Sequence, residues 1–337
     1  MNILITGGAG FLGVRLARAL LAQGSVALRG AAATPITKLT LADRAPPPDD
    51  LARDPRVQVL QGDLLDQCLA GTLPGADGVD LVFHLAAAVS GECEADFDLG
   101  MRSNLQATQE LLQACRRLGT RPTFVFASSL AVFGKVPGRA LPEPIQDDTL
   151  PTPQSSYGIQ KFICEQLVAD FARKGFVHGR TVRLMTVSVR PGRPNGAASG
   201  FFSGMIREPL AGIRAAVPVP PATPVALASP SRTVEGLMRA AEAGDAQWGP
   251  PLAVNLPSLK TTVGDMAKAL ERVAGPAGHD LLDWTPDEKI QSLVSSWPGD
   301  IRWDRARALG LRADESFESI VRDYVRENPE AVRLQLP

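Results

Sequence analysis

Cysteine, histidine and tyrosine are scarce in this chain of 337 residues, which carries four, three and two of them. Cys68, Cys93, Cys115 and Cys164 show no Cys-x-x-Cys spacing, and His84, His178 and His279 are widely dispersed, so the pattern predicts neither a disulfide framework nor a metal site. No apolar run approaches the roughly 18 residues a membrane helix needs. The N-terminus enters the apolar segment Asn2-Ile3-Leu4-Ile5-Thr6 without a basic leader. The expectation is a cytoplasmic protein that is neither secreted nor membrane-bound. A dominant charge is missing too: 35 lysines and arginines face 36 acidic residues, and no basic stripe interleaves with aromatics. That removes the electrostatic footprint of a nucleic-acid binder and leaves a small molecule as the expected partner.

What is present is an alternation of short apolar runs with longer helical patterns. Strands are predicted at 2–6, 38–42, 57–61, 80–84, 123–127 and 181–188, and helices at 11–22, 98–118 and 155–174. This reads as an α/β chain with a doubly wound parallel sheet. Beyond about residue 189, proline and glycine thicken through Arg190 to Asn195 and again from Val217 to Pro224, which predicts long connections that contact a substrate. Order returns with helices at 232–243, 261–274 and 315–326 around a short strand at 252–256. Residues 1–188, with returning segments near 230–256, are assigned to a nucleotide-binding domain. Residues 189–229 and 257–337 are assigned to a smaller C-terminal substrate-binding lobe.

The run Thr6-Gly7-Gly8-Ala9-Gly10-Phe11-Leu12-Gly13 joins the first strand to the first helix, the context a dinucleotide fingerprint requires. It fits two registers, Gly8-Gly10-Gly13 or Gly7-Gly10-Gly13, and either lets backbone approach a pyrophosphate. The second strand ends at Asp43, where a carboxylate can accept hydrogen bonds from both adenosine ribose hydroxyls and repel the extra phosphate of NADP. Asp43 therefore argues for NAD, with Arg44 beside it as the residue pulling toward NADP. The interval from Gly13 to Asp43 exceeds the usual spacing and predicts a loop insertion at residues 29–37. Gly62-Asp63-Leu64 follows the third strand; Asp63 reads as a helix cap, as an adenine contact, or as both. His84-Leu85-Ala86-Ala87-Ala88 closes the fourth, with small residues to admit the cofactor ribose and His84 expected to be a packed side chain.

Tyr157 and Lys161 are one helical turn apart, in mutual electrostatic reach. A phenol that ionises near ~10 is a poor base at neutral pH until positive charge favours the phenolate, and Lys161 is the expected source of that charge.

With these pieces the chain resembles the extended short-chain dehydrogenase/reductase superfamily, also called the NAD-dependent epimerase/dehydratase family. The resemblance runs over nearly its whole length. It rests on the glycine run, Asp43, Gly62-Asp63-Leu64, His84-Leu85-Ala86-Ala87, Asn104, Ser128-Ser129-Leu130-Ala131-Val132-Phe133-Gly134 and Tyr157-Gly158-Ile159-Gln160-Lys161. It implies a Rossmann-type fold, NAD as cofactor, and Ser129, Tyr157 and Lys161 as the catalytic set. The cofactor would meet Gly7, Gly10, Phe11, Leu12, Gly13, Asp43, Asp63, Leu64, Leu85, Ala86, Ala87, Asn104, Tyr157 and Lys161. Asn104 equally suits a buried packing role.

Three departures narrow the reaction. Leu130-Ala131 stands where the family's dehydratases carry an acidic pair, Phe133 stands where tyrosine is usual, and Thr186 stands where nucleotide-sugar epimerases place asparagine. The stretch from Arg190 through Leu210 resembles a branch of the family that oxidises the C2 hydroxyl of a four-carbon sugar acid, D-erythronate, to the 2-oxo acid. Ser129, Tyr157, Thr186, Arg193, Asn195, Ser199 and Arg207 are the expected substrate contacts. Arg193 and Arg207 are the candidates for the carboxylate, since arginine clamps such a group bidentately, with Arg183 and Arg190 nearby in sequence as alternatives that the pattern does not separate. The competing readings are a nucleotide-sugar epimerase with tightly held NAD and a non-catalytic dinucleotide sensor. An apolar stripe of Phe162, Ile163, Leu167 and Phe171 fits either plain core or a homodimer face.

Overall fold

Ile3, Leu4 and Ile5 have almost no exposed surface, as a strand with neighbours on both edges and helices on both faces demands. They form β1 (Asn2–Thr6), at the heart of a parallel sheet completed by β2 (Lys38–Asp43), β3 (Val57–Gln61), β4 (Leu81–His84), β5 (Thr123–Ser129), β6 (His178–Leu184) and β7 (Val254–Asn255). The order is β7-β6-β5-β4-β1-β2-β3, so the winding reverses between β1 and β4, the point where a crevice opens beyond the carboxyl ends of the strands. This computed structural model describes residues 1–75, 78–192 and 197–337.

Helix α1 (Phe11–Gln23) follows β1 at once and stops at Gly24, whose φ of 73° is the left-handed conformation that glycine adopts without a steric penalty. Next comes α2 (Ala107–Leu118), preceded by shorter helical pieces from Phe97 onward. Ser155 caps α3 (Ser156–Arg173) by accepting the Gly158 amide proton at 3.1 Å. The first five expected strands and the helices flanking them are in place. No helix among the described residues is long and apolar enough to cross a membrane.

Three expectations change. The predicted sixth strand, 181–188, is two strands: β6 ends at Leu184, and after Met185 the pair Thr186–Val187 joins a different sheet, beside Pro224–Ala228 and Leu259–Thr262. A continuous β-branched and apolar run concealed that break. The insertion expected as a loop holds a small antiparallel pairing of Ser25–Val26 with Thr34–Pro35. Its Arg29 meets His178 at 3.0 Å and Asp245 at 3.2 Å, bracing it against the start of β6. Finally, a helix, α4 (Gly200–Leu210), occupies part of the stretch read as irregular. Gly200, Gly204 and Pro209 disguise it, while buried Phe202, Met205, Ile206 and Leu210 hold it in a second core with Val189, Leu227, Leu270 and Val321.

The apolar stripe on α3 divides as well. Phe162, Leu167 and Phe171 pack against the cores, whereas Ile159 and Ile163 stay exposed at 46% and 39%.

One buried ion pair holds α3 to the sheet. Arg183 of β6 donates to Glu165 through Nε at 3.0 Å and Nη2 at 2.8 Å, with the side chains 6% and 2% exposed. The Ser128 hydroxyl donates to the same carboxylate at 2.5 Å, and Arg183 Nη1 lies 3.4 Å from Asn255 Oδ1 on β7. Removing one partner strands a charge in the interior. Glu165→Ala is therefore expected to destabilise the protein by ~3–5 kcal/mol in urea unfolding, with Glu165→Met/Arg183→Met far less costly than the sum of the single changes.

Candidate active site

A cavity of about 520 Å³ opens along the switch point, between the glycine turn after β1, the segment after β4, the end of β5 and the start of α3. The close approach on its first wall is enforced by the backbone. Gly7 has a φ of +71°, and a Cβ there would come 2.8 Å from the Ala86 amide nitrogen, so only glycine suits that position. At Gly13 a Cβ would strike the Gly7 carbonyl oxygen and push the helix start off the turn. Gly7, Gly10 and Gly13 line the cavity and Gly8 does not, which favours the Gly7-Gly10-Gly13 register. At Gly8 a Cβ would collide with Leu41, so that glycine serves strand packing.

Asp43, at the tip of β2, faces the cavity. Its two oxygens accept from the Ala9 amide at 3.0 Å and the Ala45 amide at 3.1 Å, fixing the carboxylate with acceptor capacity to spare. Asp63 caps the helix at Leu64–Leu69, as expected, by accepting from Leu65 and Asp66, and it also lines the cavity. Arg44 and Arg102 pair with it and hold its carboxyl below the ordinary range against the opposing effect of burial. Arg44 is thereby drawn toward Asp63. Phe11, Leu12, Leu64, Leu85, Ala86 and Ala87 complete the apolar lining, and the hydroxyl of Ser103 on the same wall has no partner among the described residues. A glycine cradle, a strand-tip carboxylate and an orphan hydroxyl together fit a dinucleotide.

Of the two readings of Asn104, the structure places it as a buried packing group. Its amide is buried behind the wall, where Oδ1 accepts from the Ala88 amide at 2.8 Å and Nδ2 donates to Gln160 at 2.8 Å. It fastens the segment after β4 to α3 and does not reach the cavity. His84 is also enclosed. Its ring nitrogens meet Thr6 at 2.6 Å and Thr108 at 2.8 Å, and burial lowers its pKa to about 3, so it stays neutral and structural.

At the far end Ser129, Tyr157 and Lys161 converge. Lys161 Nζ donates to the Ala127 carbonyl at 2.8 Å and lies 5.7 Å from the centre of the Tyr157 ring. Burial lowers the Lys161 pKa to about 8, against the pull of Cys164, Cys93 and Glu165. Burial also pushes Tyr157 up to about 12. The groups that oppose this are the Ser129 hydroxyl, as a hydrogen-bond partner, and the Arg190 charge. The expected acidification of Tyr157 by Lys161 is thus not the dominant effect here: enclosure outweighs it, and the helping cation is Arg190.

Thr186 and Ser199 line the cavity as expected; Arg207 does not. Its guanidinium is spent on the Arg190 carbonyl at 2.8 Å and on Glu208 at 2.5 Å. Arg193 and Asn195 lie outside the described residues. Residues not chosen from sequence also line the space, among them Ser90, Glu92, Arg190 and Trp297. Arg190 had a local signal, an arginine directly after a segment entering the site; Trp297 had none. Among the described residues no group of three or more histidine, cysteine or acidic side chains is arranged to hold a metal ion.

A family model described as NAD dependent epimerase/dehydratase matches residues 3–221. The chain is 48% identical over 327 residues to a D-erythronate dehydrogenase of Cupriavidus necator, covering 97% of this chain and 98% of that protein. A D-erythronate dehydrogenase of Haemophilus influenzae is 40% identical over 332 residues, covering 96% and 99%. The crystal structure of a nucleoside-diphosphate-sugar epimerase from Agrobacterium tumefaciens matches with a TM-score of 0.90 at 40% identity, covering 99% of this chain and 96% of that one.

The Asp43 geometry yields a cofactor test. Asp43→Asn removes the charge that repels a 2′-phosphate, so the ratio of NADP to NAD affinity, measured by titration, should rise by ~10-fold or more. An unchanged ratio would mean that selectivity lies elsewhere.

Proposed function

The chain belongs to the NAD dependent epimerase/dehydratase family, and on that premise we propose that it oxidises the C2 hydroxyl of a small sugar acid, D-erythronate, to the 2-oxo acid. The single observation that carries this reading is the convergence of Ser129, Tyr157 and Lys161 in the cavity whose opposite end holds the glycine cradle and Asp43. Near full-length similarity to two proteins named for that activity supports the substrate.

The roles follow from position. NAD, when bound, supplies the hydride acceptor for the C2 hydrogen. Asp43 offers acceptors to ribose hydroxyls, and the backbone around Gly7 and Gly10 offers close approach to the pyrophosphate. Tyr157 takes the proton of the C2 hydroxyl, and Ser129 orients the same oxygen. Lys161, anchored on the Ala127 carbonyl, sets a positive charge behind the tyrosine ring. The 2-oxo acid is what remains when C2 loses that hydrogen with its electron pair and the hydroxyl loses its proton.

A second reading draws on the solved epimerase of similar sequence and fold. An epimerase oxidises and re-reduces its substrate in place and accumulates no reduced nicotinamide. With NAD and D-erythronate supplied, the proposed dehydrogenase gives a continuing rise in NADH absorbance; no rise would favour the epimerase. We also propose a homodimer formed through the exposed Ile159 and Ile163 face of α3, on the strength of that exposed apolar pair.

Tyr157→Phe should lower kcat by ~10²–10⁴-fold and leave NAD affinity largely intact, since the aromatic ring stays and the transferable proton site is lost. Near-normal turnover by that variant would exclude Tyr157 as the base. Because a phenol held up to about 12 is deprotonated only in small part near neutrality, kcat/KM for oxidation should climb with pH between 6 and 8. A flat profile over that range would mean that another group takes the proton.

A further inference from the structure

Arg183 of β6, Arg190 and Arg207 of α4 are close in sequence to this part of the site, and they differ in what already occupies them. Arg183 is consumed by Glu165. Arg207 is consumed by Glu208 and the Arg190 carbonyl. Arg190 has no carboxylate partner among the described residues: its Nη2 donates to the Ser199 carbonyl at 3.3 Å and the Ser199 hydroxyl at 3.0 Å, and Nε and Nη1 have no acceptor among those residues. Those two nitrogens are also not among the sealed, partnerless polar atoms of the interior, and the residue lines the cavity, so its open edge faces the space that Tyr157 faces. A largely enclosed cation with a free guanidinium edge is a site built for an anion.

The surroundings position that edge. The Arg190 amide donates to the Ser203 hydroxyl at 3.0 Å, and Arg207 grips its carbonyl, so the backbone is tied to α4 at both polar atoms. Ser199, just before α4, steadies the side chain. Burial, with the nearby Arg207 charge, lowers the Arg190 pKa, while the field of Arg190 reaches the Tyr157 oxygen. An anion docked on Arg190 therefore lies within a short span of the proposed base.

We propose that Arg190 receives the carboxylate of the substrate, and that the site is built for acids whose carboxylate is bonded directly to the carbon being oxidised. The inference rests on the oxidation reading above and deepens it: with Tyr157 at the hydroxyl and Arg190 beside Tyr157, the acid and the alcohol belong on neighbouring carbons. A neutral polyol, or an acid with its carboxylate several carbons away, leaves the Arg190 edge without a partner in an enclosed setting.

The test compares D-erythronate with its neutral counterpart D-erythronamide, on NAD-loaded wild type, Arg190→Met and Arg190→Lys. Binding is measured by calorimetry and turnover by NADH formation. Arg190→Met should weaken the acid on the order of 100-fold, and the amide hardly at all. Arg190→Lys keeps the charge without the planar fork and should fall between. Equal affinity of wild type and Arg190→Met for the acid overturns the proposal. Should Arg190→Met fail to fold, Arg190→Lys decides: a loss confined to the acid supports the site, and a parallel loss of acid and amide overturns it. Arg190-dependent binding of the acid without turnover leaves the carboxylate site standing and sinks the oxidation reading instead.

Discussion

The end of the cavity where Ser129, Tyr157 and Lys161 meet depends on how α3 is seated, and that seat is a carboxylate almost wholly removed from water. Glu165 takes two hydrogen bonds from Arg183 and one from Ser128, so a single side chain joins the helix to β5 and β6. Tyr157 and Lys161 lie two turns and one turn before it on the same helix. Ser129 is the residue after Ser128. The relative placement of all three reacting groups is therefore set by a contact that touches none of them. An enclosed ion pair contributes little net stability, because desolvation offsets the Coulomb attraction, but it accepts few alternative geometries.

Charge in the cavity follows one logic. Enclosure disfavours ionised forms, raising the phenol and depressing the lysine together. The counterweights at the phenol are the Ser129 hydroxyl and the Arg190 charge.

The sheet was legible because parallel strands enclosed on both faces become short apolar runs, and the cofactor end because glycines, Asp43 and the small residues after β4 are constrained one by one. Ser129, Tyr157 and Lys161 could be read from spacing and resemblance. Less was legible beyond β6. The break at Met185 carries no glycine or proline to mark it, and α4 was hidden by Gly200, Gly204 and Pro209, residues that signal a turn when burial is unknown. Which arginine is open to a carboxylate is hidden from the sequence for a related reason. Whether an arginine is free depends on its neighbours in space: Glu208 neutralises Arg207, while no carboxylate among the described residues pairs with Arg190. Asn104 shows the same limit, since its backbone clamp is visible only once Ala88 and Gln160 are brought to it.

Only Met185 separates the end of β6 from Thr186, where the chain enters the other sheet, and all three residues Leu184, Met185 and Thr186 border the cavity. One residue spans too little length to let the two sheets drift apart along this seam. The two sheets are thus stitched together along the wall of the cavity, where a shift of either would be felt at once by the other.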